Sequence, residues 1–156
     1  MKQINLSKGK HTLVDDGDYG QLIKYDWYFN LKGAAVRKQY LKGNKQKVIY
    51  MHRQIMNCPE DLEIDHINHD PLDNQKKNLR ICNRSQNNFN LRINKKNTSG
   101  FKGVSFIKNE NTWRVYISLN NRQVHLGRFK TKQEAARAYN QAALELRGAF
   151  AWINPL

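Results

Sequence analysis

The chain has 156 residues, with 27 Lys and Arg against 13 Asp and Glu, which gives a net charge of +14. This length suffices for one ordinary domain or a few very small ones, and so large a cationic excess indicates a polyanionic partner. Residues 1–47 carry +6, residues 48–94 are neutral and residues 95–156 carry +8. Two basic flanks therefore surround a middle segment that keeps its carboxylates.

Composition excludes several classes of protein. Cys58 and Cys82 have no metal-ligand spacing, so a zinc knuckle is not expected, and two lone thiols are typical of a reducing compartment. The apolar runs are too short to span a bilayer, and residues 1–15 lack an apolar signal core. We expect a soluble cytoplasmic protein that binds neither a membrane nor a small-molecule substrate.

Residues 1–50 are expected to form a β-rich segment of short strands separated by glycine turns. A brief helix could begin at Asp16 and run to about Tyr25. Tyr19, Leu22, Trp27 and Phe29 are expected to form a small apolar core. The expected strands are 4–6, 12–14, 27–31, 34–40 and 48–51.

The middle segment, residues 51–93, is expected to hold two strands between two helices. The strands are 62–67 and 79–81, separated by a polar stretch, and a short helix covers 52–57. A second helix over 84–93 would be capped by Asn83 or Ser85 and carry an apolar stripe of Phe89 and Ile93.

The polar residues of this segment include the side-chain types that a reaction at a phosphate group requires. Asp65 is a hard oxygen ligand suited to Mg²⁺, and a neutral imidazole at His66 can take a proton from water. Asn78 follows His66 by twelve residues and can bond backbone across the loop; Asn87 follows nine later and offers a carbonyl oxygen. On a helix, Asn83, Asn87 and Asn90 would share a polar face.

Taken singly, each of these residues has an ordinary structural explanation, but their conjunction resembles the HNH (ββα-metal) nuclease family. The resemblance is strongest to its homing-type phage and intron branch. The matching segments are Met51-His52-Arg53, Asp65-His66-Ile67, Asn74, Asn78-Leu79-Arg80 and Gln86-Asn87.

The resemblance implies that His66 is the general base, that Asn78 is the structural central Asn, and that Asp65 and Asn87 bind one Mg²⁺ or Mn²⁺ ion. Asn87 stands where the motif commonly has His, which argues against tight zinc binding. The implied reaction is phosphodiester hydrolysis. Phosphate-binding candidates are Arg53, Arg80 and Arg84. We interpret His52 as a packing or phosphate contact and His69 as loop surface.

After a polar linker, residues 94–98, the pattern becomes a sheet followed by a helix. The expected strands are 101–107, 113–119 and 122–126, with a tight turn at Asn120-Asn121. Thr131 and Glu134 form a capping-box pattern for a helix over 132–146 that stops at Gly148.

Residues 99–156 resemble the ethylene-response-factor-type (Apetala-type) DNA-binding domain. The matching segments are Gly100-Phe-Lys-Gly-Val104, Trp113-Arg-Val-Tyr-Ile117, Val124-His-Leu-Gly-Arg-Phe129 and Glu134-Ala-Ala-Arg-Ala-Tyr139. Strand alternation gives an apolar face that includes Trp113 and a polar outer face. The expected DNA contacts are Lys102, Ser105, Lys108, Arg114, Tyr116, Ser118, Arg122, His125 and Arg128. Ser105 replaces an arginine of the plant pattern, so the plant target sequence does not carry over.

We therefore predict an α+β protein with a β-rich segment (1–50), a ββα-metal nuclease core (51–93), a linker (94–98) and a three-stranded antiparallel sheet packed on one helix (99–156). The leading hypothesis is a metal-dependent endonuclease that cleaves double-stranded DNA at preferred sites, homing-type, in a bacterial or phage-infected cell. A non-catalytic DNA-binding regulator is the alternative, and an RNA-binding protein fits the charge but not the Asp65-His66 spacing.

Overall fold

The computed structural model describes residues 1–119 and 122–156, so the expected turn at Asn120-Asn121 lies outside the described residues. The chain forms two compact units, Met1–Asn87 and Asn88–Leu156. Both units combine helices with antiparallel strand pairs, which confirms the mixed α and β class. No helix within the described ranges is long and apolar enough to cross a membrane.

The first unit begins with a hairpin, a short helix and a three-stranded sheet. The elements are β1 (Lys2–Asn5), β2 (His11–Val14), α1 (Asp16–Leu22), β3 (Tyr28–Phe29), β4 (Ala35–Tyr40) and β5 (Gln46–Tyr50). Strand β4 lies between β3 and β5, and all pairs are antiparallel.

The predicted aromatic core of this unit is confirmed. Leu22 and Trp27 belong to its buried cluster, and Tyr19 and Phe29 pack against it. The Trp27 indole donates a hydrogen bond of 2.8 Å to the carbonyl of Leu22. Helix α1 ends at Leu22, three residues earlier than predicted, because the chain turns there to bring Trp27 back over the helix end.

A hairpin followed by a helix completes the first unit. Helix α2 (Met51–Ile55) precedes β6 (Glu63–His66) and β7 (Leu79–Cys82), which are antiparallel, and α3 (Arg84–Phe89) follows at once. Asn83 caps α3, because its side chain accepts from the Gln86 backbone while the Gln86 side chain accepts from the Asn83 backbone.

The prediction that this helix reaches residue 93 is wrong. Helix α3 stops at Phe89, so Ile93 forms no helical stripe with it and Asn90 lies beyond its end. Asn88 and Asn90 flank the stop, and asparagine side chains compete with helical backbone bonding. The Leu91 amide instead donates to the carbonyl of Asn88, in a turn.

The long loop between β6 and β7 is tied to β2. Leu13 donates to the carbonyl of Leu72 and accepts from the amide of Asn74, each at 2.8 Å. The Thr12 hydroxyl adds a bond of 2.6 Å to the same Leu72 carbonyl. The β-rich segment therefore supports the backbone of the loop that follows Asp65 and His66.

The second unit is a three-stranded antiparallel sheet with one helix. Strand β9 (Thr112–Leu119) lies between β8 (Val104–Ile107) and β10 (Arg122–Phe129), and α4 (Lys132–Arg147) follows. The predicted capping box of Thr131 and Glu134 is confirmed, and Gly148 is the C-cap. The first strand starts at Val104 rather than residue 101, and the third extends to Phe129 with a bulge between His125 and Gly127.

Small residues of α4 let the helix lie close to the sheet. Ala135, Tyr139 and Ala143 pack on Val115 and Ile117 in the buried cluster of this unit. The predicted core residue Trp113 packs against this cluster but is only partly buried. The unit thus has an apolar core of its own.

Gly103 is the tightest backbone position in the second unit, so we expect its replacement to be destabilising. Its φ is +75°, and a Cβ there would overlap the carbonyl oxygen of Tyr116 and the ring of Tyr139. Gly100 has a similar φ of +79° with open space around it, so it is a matched control. Gly100→Ala should cost about 1–2 kcal/mol from the left-handed backbone alone.

Gly103→Ala should cost clearly more than Gly100→Ala, because the overlap adds to the same backbone penalty. Chemical denaturation of the full chain, followed by Trp fluorescence and circular dichroism, would measure both. Equal stability of the two variants would contradict the close approach of β8 to α4.

Candidate functional site

Asp65 is buried and paired with Arg80 on the neighbouring strand. The two residues are directly opposite in the β6–β7 register, and Arg80 places Nε at 2.8 Å and a terminal nitrogen at 2.5 Å from Asp65 Oδ2. Asp65 is 5% exposed. A buried carboxylate needs such a partner, because an unpaired charge away from water is costly. Arg80, predicted to bind phosphate, here holds Asp65.

A chain of hydrogen bonds fixes the orientation of His66. The Thr12 hydroxyl donates to Leu72, so its oxygen accepts from the Asn74 amide nitrogen at 2.7 Å. That bond leaves the Asn74 carbonyl oxygen to face His66 Nε2, at 3.2 Å. An oxygen acceptor requires the proton on Nε2, so the lone pair of the neutral ring is on Nδ1.

Burial keeps His66 in its neutral form. Desolvation lowers the pKa of His66, and the bond to Asn74 and the nearby carboxylates of Asp65, Asp70 and Asp73 oppose the shift. A neutral imidazole is the form that can accept a proton from water.

His52 packs edge-on against His66. The two ring centroids are 5.1 Å apart, and Tyr50 lies 5.4 Å from His52 on another side. Burial, with the charges of His66 and Arg53, lowers the pKa of His52 to about 3. His52 is therefore neutral, which matches the packing contact that was one of its two predicted roles.

Asn78 braces the loop between the two strands. Its side chain accepts from the backbone amide of Asn68 at 3.0 Å and donates to the carbonyl of Asp73 at 2.8 Å. The backbone contacts expected of Asn78 are thus formed, whereas a part in catalysis stays a prediction. His69, in the same loop, is half-buried with a φ of +62°.

Asn87 is held by a residue that the sequence motifs do not single out. Its amide nitrogen donates to Glu63 Oε2 at 2.7 Å. Glu63 and Asp65 are two apart on β6 and so lie on one face of the hairpin. The alternation of β6 is the signal that could have found Glu63, because it places a second carboxylate beside Asp65.

The residues on this face have the chemistry of a hard-cation site. Glu63, Asp65 and Asn87 offer oxygen atoms, which Mg²⁺ and Mn²⁺ prefer. Cys82 lies opposite Glu63, and burial raises the pKa of its thiol to about 11. Among the described residues, no group of three or more His, Cys, Asp or Glu side chains is arranged as a metal site, so a cation here would need the Asn87 amide.

The predicted phosphate-binding arginines differ in their surroundings. Arg53 donates to the backbone carbonyls of Cys58, Pro59 and Leu62, so its guanidinium holds that turn. Arg84 is exposed at the first residue of α3, and no ion pair to it is formed within the described ranges. Phosphate binding by either residue stays a prediction.

The outer face of the C-terminal sheet brings several expected DNA contacts together. Arg114 lies opposite both Ser105 and Arg128 in the strand register, and Tyr116 lies opposite His125. The Arg114 guanidinium is 5.0 Å from the Tyr116 ring centroid, and the Tyr116 and His125 rings are 5.1 Å apart. The buried Nε of Arg114 has no hydrogen-bond partner in the described part of the chain.

The remaining expected DNA contacts are mostly exposed. Lys108, Ser118 and Arg122 are open to solvent, and Arg128 pairs with Glu110 at 2.9 Å. Lys102 differs, because its ammonium donates to the carbonyls of Phe89 and Leu91. Burial and the Arg147 charge lower the pKa of Lys102 to about 8. Its ammonium is engaged inside the unit, and a DNA contact by Lys102 stays a prediction.

Two family models match the chain. The HNH endonuclease model matches residues 57–89, which hold the hairpin, its loop and α3. The AP2 domain model matches residues 99–149, which hold the second sheet and α4.

Relatives match over most of the chain or over its second unit alone. An uncharacterized HNH endonuclease of Acanthamoeba polyphaga mimivirus is 32% identical over 153 residues, which cover 98% of this chain and 79% of the relative. Protein 3.8 of Escherichia phage T7 is 31% identical over 114 residues, which cover 73% and 93%. APETALA2-like protein 2 of Oryza sativa subsp. indica is 42% identical over 57 residues, or 36% of this chain and 13% of the plant protein.

The fold and its matches define a nuclease-type hairpin and helix joined to a DNA-binding sheet. The chain belongs to the HNH endonuclease family, and it carries an AP2 domain in its second unit.

Proposed function

We propose that this protein is a metal-dependent endonuclease that hydrolyses phosphodiester bonds of double-stranded DNA at preferred sites. The observation that carries the proposal is the orientation of His66 through Asn74 and Thr12, one residue from the buried Asp65 and within the segment that the HNH model matches. We propose the division into a β-rich segment (1–50), a ββα-metal core (51–93), a linker (94–98) and a DNA-binding domain (99–156).

His66 is proposed as the general base. Because Nε2 donates to Asn74, the lone pair on Nδ1 takes the proton from the attacking water. Asn74 also stabilises the imidazolium that then forms, since its carbonyl oxygen faces the Nε2 proton. Thr12 fixes the Asn74 amide, so a residue of the N-terminal strand positions the base.

Asp65 and Asn87 are proposed to hold one divalent cation, Mg²⁺ or Mn²⁺, with Glu63 orienting Asn87. When bound, the cation would supply charge stabilisation to the phosphate oxygens. The Asp65 carboxylate is held rigid by Arg80, and the Asn87 amide nitrogen by Glu63, which leaves the Asn87 carbonyl oxygen as the ligand.

We propose a phage or mobile-element origin and a homing-type role in an infected bacterial cell, which the phage T7 source of one relative supports. The alternative of a non-catalytic DNA-binding regulator is less well supported, because such a regulator would not need His66 neutral and oriented beside a buried carboxylate.

Loss of the general base should separate cleavage from binding. His66→Ala should lower the rate of plasmid nicking about 10²–10⁴-fold and leave DNA affinity nearly unchanged, because the imidazole acts on water rather than on DNA. Nicking in Mg²⁺, with EDTA as the second condition, measures this. Nicking by His66→Ala at the wild-type rate, or wild-type nicking in EDTA, would reject the mechanism.

Substitutions of Glu63 should test the cation site without turnover. Glu63→Ala should weaken Mn²⁺ binding about tenfold, because the Asn87 amide loses the acceptor that orients it. Glu63→Gln keeps an oxygen acceptor and should retain most of the affinity. Paramagnetic resonance of free Mn²⁺ in a His66→Ala background measures both. An equal loss in both variants would mean that the Glu63 charge itself binds the cation.

Arg114 should direct the protein to its preferred sites. If Arg114 reads a base, Arg114→Ala should cost about 1–3 kcal/mol of binding and relax preference at one position, so nicks would fall at less focused sites. Arg137→Ala is the control, since it removes one charge from the exposed side of α4. Cleavage maps on one long duplex compare the three proteins. If the cleavage maps of the three proteins coincide, this sheet does not direct the protein to its preferred sites.

A further inference from the structure

The sheet β3–β4–β5 has one face that the core covers and one that it leaves open. On the inner side, Ala35 belongs to the buried cluster and Arg37 donates to Gln54 while lying 4.1 Å from the Tyr25 ring centroid. Because side chains alternate along a strand, Lys38 and Tyr40 lie on the opposite side. We call this opposite side the open face.

The open face combines an apolar floor with a cationic rim. Tyr28, Tyr50 and Val48 line a depression above the fully buried Val36, and Val48 lies opposite Lys38. Lys8 and Lys32 line the edges of the same depression. Tyr40 is 72% exposed and Leu31 98% exposed, so large apolar groups remain open to solvent beside the lysines.

The charge along residues 27–50 has one sign, and Asp26 just before them is an acidic residue that lines a depression with Lys38 and Tyr40. Residues 27–50 contain six Lys and Arg and no Asp or Glu. Lys47 pairs with Glu60 at 2.8 Å, whereas Lys8, Lys32 and Lys38 form no ion pair within the described ranges. Charges of one sign repel one another and create a positive potential over the surface, which attracts a polyanion.

The β4–β5 hairpin has the shape that a duplex accepts. It is a two-stranded antiparallel ribbon, and the turn between its strands carries two further lysines, Lys42 and Lys45, both exposed. A two-stranded ribbon fits the major groove of DNA, which is about 12 Å wide. Lysines bind phosphates as point charges, and the tyrosine rings can pack on deoxyribose or on the methyl group of thymine.

We propose that the open face and its hairpin form a third DNA contact, which binds the phosphate backbone of duplex DNA next to the cleaved site. This inference rests on the proposed function, since it assigns the N-terminal segment to the same substrate. It gives residues 27–50 a role separate from the support that β2 gives to the site loop.

The test compares two double variants of the full-length protein in EDTA, so that cleavage does not occur. Lys32→Gln with Lys38→Gln removes two charges from the open face. Lys2→Gln with Lys10→Gln removes two exposed charges of the same unit that line neither depression of this sheet. Fluorescence anisotropy with a long duplex of mixed sequence gives the affinity as a function of NaCl concentration.

The open-face variant should lower the slope of log K against log salt by about 0.9 for each phosphate that it no longer neutralises, and so by about 1.8 for two. The control should keep the wild-type slope. Circular dichroism melting curves that coincide with the wild type show that both variants fold, because all four lysines are exposed.

Three outcomes would overturn the inference. Equal slopes for both variants would mean that the open face does not touch DNA. A change from dimer to monomer in the open-face variant, seen by sedimentation, would make this face an interface between two copies of the chain. If the open-face variant binds single-stranded DNA more weakly than the wild type does but binds duplex DNA equally well, duplex DNA is excluded as the ligand of this face. A different result would reject the proposed function, namely a wild type that neither binds duplex DNA nor nicks it in Mg²⁺.

Discussion

The candidate site depends on the hydrogen-bonded connection between Thr12 and Asn74. Thr12 is fully buried, and its hydroxyl leaves the Asn74 amide only one orientation, in which the carbonyl oxygen faces His66. Leu13 holds the same loop through backbone bonds on both sides of it. A loop of polar residues has little apolar surface with which to hold its shape, so it relies on the edge of a strand more than 50 residues away in the sequence.

Two side-chain pairs have separate roles on the β6–β7 hairpin. Arg80 neutralises Asp65 across the strands, and Glu63 holds the Asn87 amide from the helix that follows. His66 lies on the other side of the same strand end, where burial among rings keeps it neutral. A carboxylate paired with a guanidinium and a buried imidazole can thus be adjacent in the chain, because strand alternation sends them into different surroundings.

The second unit is stabilised by close packing of one helix on one sheet. Alanines on α4 allow the helix to lie close to the sheet, and a Cβ at Gly103 would overlap the ring of Tyr139 on that helix. The outer face of the sheet then carries polar side chains, and Arg114, Tyr116 and His125 contact one another there. The AP2 match covers residues 99–149, so the sheet, its outer face and the supporting helix belong to one module.

The sequence by itself determined the secondary-structure elements and the chemical types of the candidate site residues. Alternation and the Thr131–Glu134 capping box predicted the second unit, and the motifs that hold Asp65, His66, Asn78 and Asn87 resemble the nuclease family whose model matches this segment. These signals are local, because strand and helix periods and caps act over a few residues. Helix ends were predicted less well, since tertiary contacts such as that of Trp27 with Leu22 decide where a marginal helix stops.

Only the tertiary structure decided which groups the site side chains contact. The spacing of the residues does not show that Arg80 pairs with Asp65 rather than with phosphate. Nor does it show that Arg53 donates to the carbonyls of the 58–62 turn, or that Thr12 contacts Asn74. Long side chains can reach several groups, and which one they reach depends on strand register and on contacts distant in the chain. Short motifs therefore indicate the type of chemistry, whereas the orientation of the site side chains depends on how distant segments pack.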